Sequence, residues 1–304
     1  MKANVTFPSA GLTLAGILFT PDSHTGAPLP AVVVAHPCGG VKEQTASEYA
    51  ERLARQGFAA LVFDAAYQGE SEGTPRGLED PFQRAEDVRA AVTYLTTRDD
   101  IDPARIGALG ICGSGGYVPF AAQTDHRIKA VATVSAADTG DLFRKGLGRT
   151  QEPEVLTAML DQAGELRTAE AQGAGVLTVL NWVPESPEGL EPRTLFSDAH
   201  DYYKTPRAQH PRSTNEWPLR SIDKIAQYDS FARIDLISPR PLLMIIGSDA
   251  DTGYFSREAI EKANEPKELF VIDGATHVDL YDKDEYVSPA VAKLTGFFGE
   301  YLAA

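Results

Sequence analysis

Residues 105–117, Arg-Ile-Gly-Ala-Leu-Gly-Ile-Cys-Gly-Ser-Gly-Gly-Tyr, constrain the fold more than any other stretch. An apolar run that reads as a buried strand, 106–111, passes without a linker into a run that reads as a helix, 114–123. One residue must then sit at a tight, strained corner. Small residues are needed two before and two after it, because strand and helix nearly touch there. Centred on Cys112, the turn has Gly110 before and Ser114 after. A competing frame centred on Ser114 would carry the strand through Gly113, a residue that strands tolerate poorly. Cys112 is therefore the favoured nucleophile and Ser114 the alternative.

The rest of the chain repeats strand then helix. Residues 5–7 and 12–19 read as an opening hairpin, and 31–35, 58–63, 128–134, 241–246 and 269–272 as short buried strands. Helices are expected at 43–56, 81–96, 254–263 and 288–301. The first would bury Ala46, Tyr49, Ala50, Leu53 and Ala54, and the second Phe82, Ala85, Val88, Val92 and Leu95. A turn is expected at Asp102-Pro103. Strands without polar alternation, separated by helices, predict an α/β fold with a mainly parallel, doubly wound sheet. Residues 139–238 break the rhythm, and a structureless loop that long is improbable in a compact domain. The expectation is a core of 1–138 and 239–304 with 139–238 inserted as a cap over the sheet's C-terminal edge, where such sheets bind ligands.

A thiol nucleophile needs help. A free cysteine with pKa about 8.5 is only a few per cent thiolate near neutrality. Bringing it to about 7 takes roughly 2 kcal/mol, and a helix N-terminus supplies only about 0.3–1 kcal/mol. A histidine must share the task. The chain has six: His24, His36, His126, His200, His210 and His277. His277 follows the last buried strand and precedes the last helix, which suits delivery of a base to the sheet edge. Asp251, with Asp249 as the alternative, ends another buried strand and could orient the imidazole. The unused acid would cap the following turn or helix. After the strand at 31–35 comes His36-Pro37-Cys38-Gly39-Gly40. Pro37 has no N–H, so Cys38, together with Gly113, is the expected oxyanion-hole donor.

Composition excludes more than it identifies. With 304 residues, 43% hydrophobic and 23% charged, the chain is long enough for a sizeable core and is not of disordered type. A net charge of −15 opposes unspecific attraction to phosphate backbones or anionic lipid, so neither nucleic acid nor membrane is expected as partner. Two cysteines make no disulfide framework, although Cys38 and Cys112 would share one pocket. The apolar run at 12–19 is too short to span a bilayer, and no signal peptide is evident. A cytoplasmic location is expected. His200, Asp201 and His210 match no standard ligand spacing; no metal and no cofactor is expected.

Together these residues resemble the α/β-hydrolase superfamily from about residue 5 to 301, with the chain order nucleophile, acid, histidine. The turn at 110–117 is similar to that of a cysteine-bearing branch near dienelactone hydrolases and fungal polyketide thiohydrolases, as are 63–71 and 274–281. The resemblance implies a hydrolase that cleaves a small-molecule ester, thioester or lactone through Cys112, His277 and Asp251 and an acyl-enzyme. An acyltransferase or a non-hydrolytic enzyme of natural-product assembly would use the same residues, and an inactive binding module would retain only the fold. Trp182, Tyr202, Tyr203 and Trp217 are candidates to line an acyl pocket. Oligomeric state stays open, with a homodimer among the expectations.

Overall fold

The computed structural model describes residues 1–22, 26–176 and 178–303; His24 lies outside them. The chain opens with a hairpin of β1 (Lys2–Ser9) and β2 (Leu12–Phe19). Its two-residue loop, Ala10 and Gly11, has positive φ at both positions, the twist that matches flanking strands. Then come β3 (Leu29–Ala35), α1 (Thr45–Arg55), β4 (Ala59–Phe63), α2 (Pro81–Thr96), β5 (Ile101–Ile111), α3 (Ser114–Ala122) and β6 (Ile128–Val134). The middle of the chain holds α4 (Thr139–Lys145), α5 (Pro153–Ala169), β7 (Thr178–Asn181), α6 (Leu195–Lys204), β8 (Glu216–Pro218) and α7 (Ser221–Ile225). It closes with β9 (Leu242–Gly247), α8 (Gly253–Lys262), β10 (Lys267–Ile272), α9 (Asp279–Asp282) and α10 (Asp284–Tyr301).

Eight strands form one sheet in the order β1-β2-β4-β3-β5-β6-β9-β10. Only β2 runs against the others, pairing antiparallel with both β1 and β4. One apolar layer holds Val32, Val34, Leu109 and Ile111 with the buried faces of α1 and α10. The other holds Val33, Ala108 and Val131 with those of α2, α3 and α8. Covering both faces is why these strands are almost uninterruptedly apolar.

Two local expectations are corrected. Phe82 is 45% exposed, because it stands in the first turn of α2 and sets its ring edge-on to Phe120 and Tyr228. The Asp102-Pro103 turn lies within β5 as an irregularity. Between the pairs Leu29–Ile101 and Ala31–Ile106, β5 advances five residues while β3 advances two. The 139–238 stretch, which reads as strandless, carries the antiparallel pair β7–β8, apart from the main sheet.

Candidate active site

Cys112 occupies the corner between β5 and α3 with φ of 56°, a left-handed conformation that non-glycine residues adopt only when surroundings enforce it. The enforcement is visible. The Cys112 N–H donates to Val134 O at 3.0 Å, while Cys112 O accepts from Gly115 N at 2.8 Å and Ala137 N at 3.0 Å. A Cβ on Gly110 would lie 1.9 Å from Ser114 O, and one on Gly113 would lie 2.2 Å from Cys38 Sγ. At Gly110 the obstacle is backbone and cannot move; at Gly113 it is a side chain that would have to shift. Ser114 is the first residue of α3, and its hydroxyl donates to His36 O at 2.6 Å. It ties α3 to the end of β3 and is not at the corner.

The environment of the sulfur follows from this corner. Cys112 is 5% exposed, and burial pushes its thiol above the ordinary range. Four groups act the other way and favour the thiolate: the Tyr281 hydroxyl, the N–H groups of Gly113 and Cys38, and the Arg84 charge. The two N–H groups expected of an oxyanion hole thus act on the Cys112 sulfur. Cys38 turns its own side chain elsewhere, 3.2 Å from Tyr117 Oη and 3.7 Å from Glu79. Burial beside Glu79 keeps that thiol protonated, and both cysteines are free. Glu79 is fully buried and paired with Arg84 at 3.0 Å. His36 completes this supporting cluster: its Nε2 accepts from Ala65 N and Arg84 Nη1, both at 3.1 Å, and its Nδ1–H donates to Pro37 O at 2.7 Å. It is a neutral structural histidine, far below its usual pKa through burial and the Arg84 charge.

His277 lies in the loop between β10 and α9 and is fully buried. Its carbonyl accepts from Ser135 Oγ at 2.8 Å, its Nδ1 lies 2.6 Å from Thr252 Oγ1, and its Nε2 lies 3.1 Å from Tyr281 Oη. Burial lowers its pKa to about 3, so the imidazole is neutral at rest.

The expected pairing of Asp251 with His277 is not what the geometry shows. Asp251 Oδ2 accepts from Leu195 N at 2.8 Å, so this carboxylate caps the N-terminus of α6, where the helix dipole favours it. Asp249 is solvent-facing and pairs with Arg193 at 2.8 Å. Among the described residues, no hydrogen bond or ion pair joins a carboxylate to His277. The backbone turn after β9 aims Thr252, one residue on, at the imidazole.

Sequence reasoning missed Thr252, Tyr281 and Ser135. Tyr281 carried a signal: it stands four residues after His277, the spacing of one helical turn. Tyr202 and Tyr203 of α6 and Trp217 of β8, all in the middle segment, are buried. Tyr202 Oη accepts from Thr45 N at 3.0 Å and is committed to packing. Among the described residues, Tyr203 Oη and the indole N–H groups of Trp182 and Trp217 are buried without hydrogen-bond partners. Of the polar residues in that segment, His200 Nδ1 lies 2.9 Å from Pro184 O and His210 Nδ1 accepts from Arg212 N; no described residues form a metal-ligating group.

A left-handed strand-to-helix corner after the fifth strand, a histidine after the last, and a mainly parallel eight-stranded sheet define the α/β-hydrolase fold. The sequence model of the dienelactone hydrolase family matches residues 14–137. The chain is 38% identical to YcjY of Escherichia coli K12, over 98% of this chain and 97% of that one. The crystal structure of PA2218 from Pseudomonas aeruginosa superposes with a TM-score of 0.92 at 38% identity, covering 99% of this chain and 94% of that one. Thiohydrolase aneE of Aspergillus aculeatus is 28% identical over 79% of this chain and 74% of its own. The chain belongs to the dienelactone hydrolase family of α/β-hydrolases.

Proposed function

We propose that this chain cleaves activated acyl compounds, esters, thioesters or lactones of small molecules, by attack of Cys112 and formation of an acyl-enzyme. The observation that carries the reading is the convergence on one sulfur of two backbone N–H groups and the hydroxyl bonded to His277. In the attacking complex the carbonyl oxygen takes the N–H groups of Gly113 and Cys38 as the sulfur moves to carbon. Donors fixed before reaction cost no reorganisation when charge develops.

The resting site is neutral, with a protonated thiol and an unprotonated imidazole. The proton therefore leaves sulfur during attack, with His277 as general base. The useful tautomer donates Nδ1–H to Thr252 and leaves Nε2 unprotonated, able to take a proton. A threonine orients the ring as a carboxylate would, but it does not neutralise the imidazolium. A charge pair at 4 Å and an effective dielectric constant of 20 is worth about 4 kcal/mol, and this site forgoes it. That favours acyl groups with good leaving groups, thioesters and enol or aryl esters, over amides. Water, activated by His277, then releases the acyl group.

Residues 139–238 act in this reading as the cap that sets the substrate. Asn215 Nδ2 donates to Gly39 O at 3.1 Å, joining the segment to the oxyanion loop. The unpartnered donors Tyr203 Oη, Trp182 Nε1 and Trp217 Nε1 suit an acyl group that carries oxygen acceptors. The test is turnover of matched short thioesters, aryl esters and anilides, with products resolved in water and in added alcohol. Thioesterase and esterase activity without anilide cleavage is expected. Ester products from the alcohol in preference to free acid would make the chain an acyltransferase instead, and no turnover of any of them would remove the reading.

A further inference from the structure

Among the described residues, Cys112 Sγ and His277 share no direct hydrogen bond. The Tyr281 hydroxyl lies 3.1 Å from His277 Nε2 and acts on the Cys112 thiol, opposing the effect of burial. Its position is imposed from several sides. Tyr281 belongs to the short helix α9, which α1 pins: Leu280 O accepts from Tyr49 Oη at 2.7 Å and Tyr281 O from Thr45 Oγ1 at 2.9 Å. Tyr202 packs edge-on against its ring with centroids 5.1 Å apart. The side chain is 1% exposed, so the hydroxyl has the imidazole and the thiol as its partners.

We propose that Tyr281 is a catalytic proton relay between nucleophile and base, an inference that rests on the reading of Cys112 as nucleophile. At rest, Tyr281 O–H donates to His277 Nε2 and the Cys112 S–H donates to Tyr281 Oη. As the sulfur–carbon bond forms, the S–H bond breaks and its proton passes to Oη. The proton already on Oη passes to Nε2, and the carbonyl π pair moves to oxygen under the N–H groups of Gly113 and Cys38. Tyrosine is neutral before and after, and His277 ends as imidazolium. When the tetrahedral adduct collapses, the same chain runs in reverse: Nε2–H returns to Oη, and the Oη proton goes to the departing thiolate or alkoxide. Burial and the neighbouring sulfur hold the phenol well above its usual pKa, which suits a hydroxyl that hands on protons without losing charge.

The test compares wild type with Tyr281→Phe, which keeps the ring and removes one oxygen. Substrates are a short thioester and an aryl ester, with mass spectrometry locating the acyl adduct. The relay predicts a fall in kcat of about 100-fold with KM within threefold. It also predicts a bowed proton inventory in mixed H2O and D2O for wild type, from two protons in flight, and a straight one for the residual activity of Tyr281→Phe. A packing role would move neither the kcat-to-KM split nor the curvature. Should Tyr281→Phe be poorly folded, 3-fluorotyrosine at position 281 preserves the ring and lowers the phenol pKa; the relay then predicts an altered kcat. Tyr281→Phe with unchanged kcat and proton inventory, or fluorotyrosine without effect, overturns the relay while an adduct on Cys112 leaves the nucleophile assignment standing. Absence of a Cys112 adduct in wild type overturns both.

Discussion

Thr252 Oγ1 lies 2.6 Å from His277 Nδ1, so a hydroxyl holds the imidazole where a hydrolase of this fold ordinarily places a carboxylate. Thr252→Val should remove that bond with little change in shape. A lost buried hydrogen bond of about 1–3 kcal/mol corresponds to roughly a 5–150-fold drop in kcat. Asp251→Asn should leave kcat within about threefold and lower Tm by about 2–4 °C, since it weakens the cap on α6 by ~1 kcal/mol. Steady-state kinetics and thermal melts of the two variants check this. A collapse of kcat in Asp251→Asn with Thr252→Val unaffected would return the orienting role to the acid.

Alkylation of Cys112 should report the neutral resting pair. Burial raises the thiol and lowers His277 to about 3, so no thiolate–imidazolium pair exists near neutrality. The rate of modification by iodoacetamide should be low and flat from pH 5 to 7 and climb only above the ordinary thiol range. A plateau of high reactivity between pH 5 and 7 would show an ion pair instead.

The two tightest glycines of the corner differ in what an added side chain would meet. Gly110→Ala would place its Cβ 1.9 Å from a backbone carbonyl oxygen and should prevent stable folding. Gly113→Ala meets Cys38 Sγ at 2.2 Å, a side chain that can shift. It should fold, with an oxyanion loop displaced and kcat reduced at least tenfold. Expression, melts and kinetics of the pair separate the two outcomes.

Much of this was legible beforehand, and the failures have physical causes. Strands such as Ile128–Val134 and the helix Pro81–Thr96 match expectation because period and end signals agree: Asp80 accepts from Phe82 N and Gln83 N, and Pro81 opens the helix. The corner at Cys112 was readable because sterics there restrict the residue types. The partner of His277 was not. Asp251 and Thr252 are adjacent, and which one faces the imidazole depends on backbone dihedrals after β9 and on whether α6 claims the carboxylate. The small sheet β7–β8 was hidden because strands of four and three residues are too short to show a period. Phe82 misled because its helical spacing fits the buried face, yet in the first turn of α2 its ring meets Phe120 and Tyr228 edge-on and stays half exposed.

Acid stability carries the mark of His277. Its folded pKa of about 3 lies below its ordinary 6.5, so the unfolded chain binds the extra proton as pH falls between these values. Stability contributed by the neutral ring is complete above pH 6.5 and is lost towards pH 3, by about 1.4 kcal/mol per pH unit. His277→Gln should lose less stability than wild type over that window by this slope. Urea titrations at pH 7, 6, 5 and 4 measure it, and parallel curves for the two proteins would show that His277 is not held neutral.

The central claim is that the corner residue is the nucleophile. Intact-protein and peptide mass spectrometry after brief reaction with a short acyl thioester should find one acyl group, on Cys112. Cys112→Ala should carry none and should lose turnover. Full activity in Cys112→Ala, or an acyl group on Ser114, would contradict it.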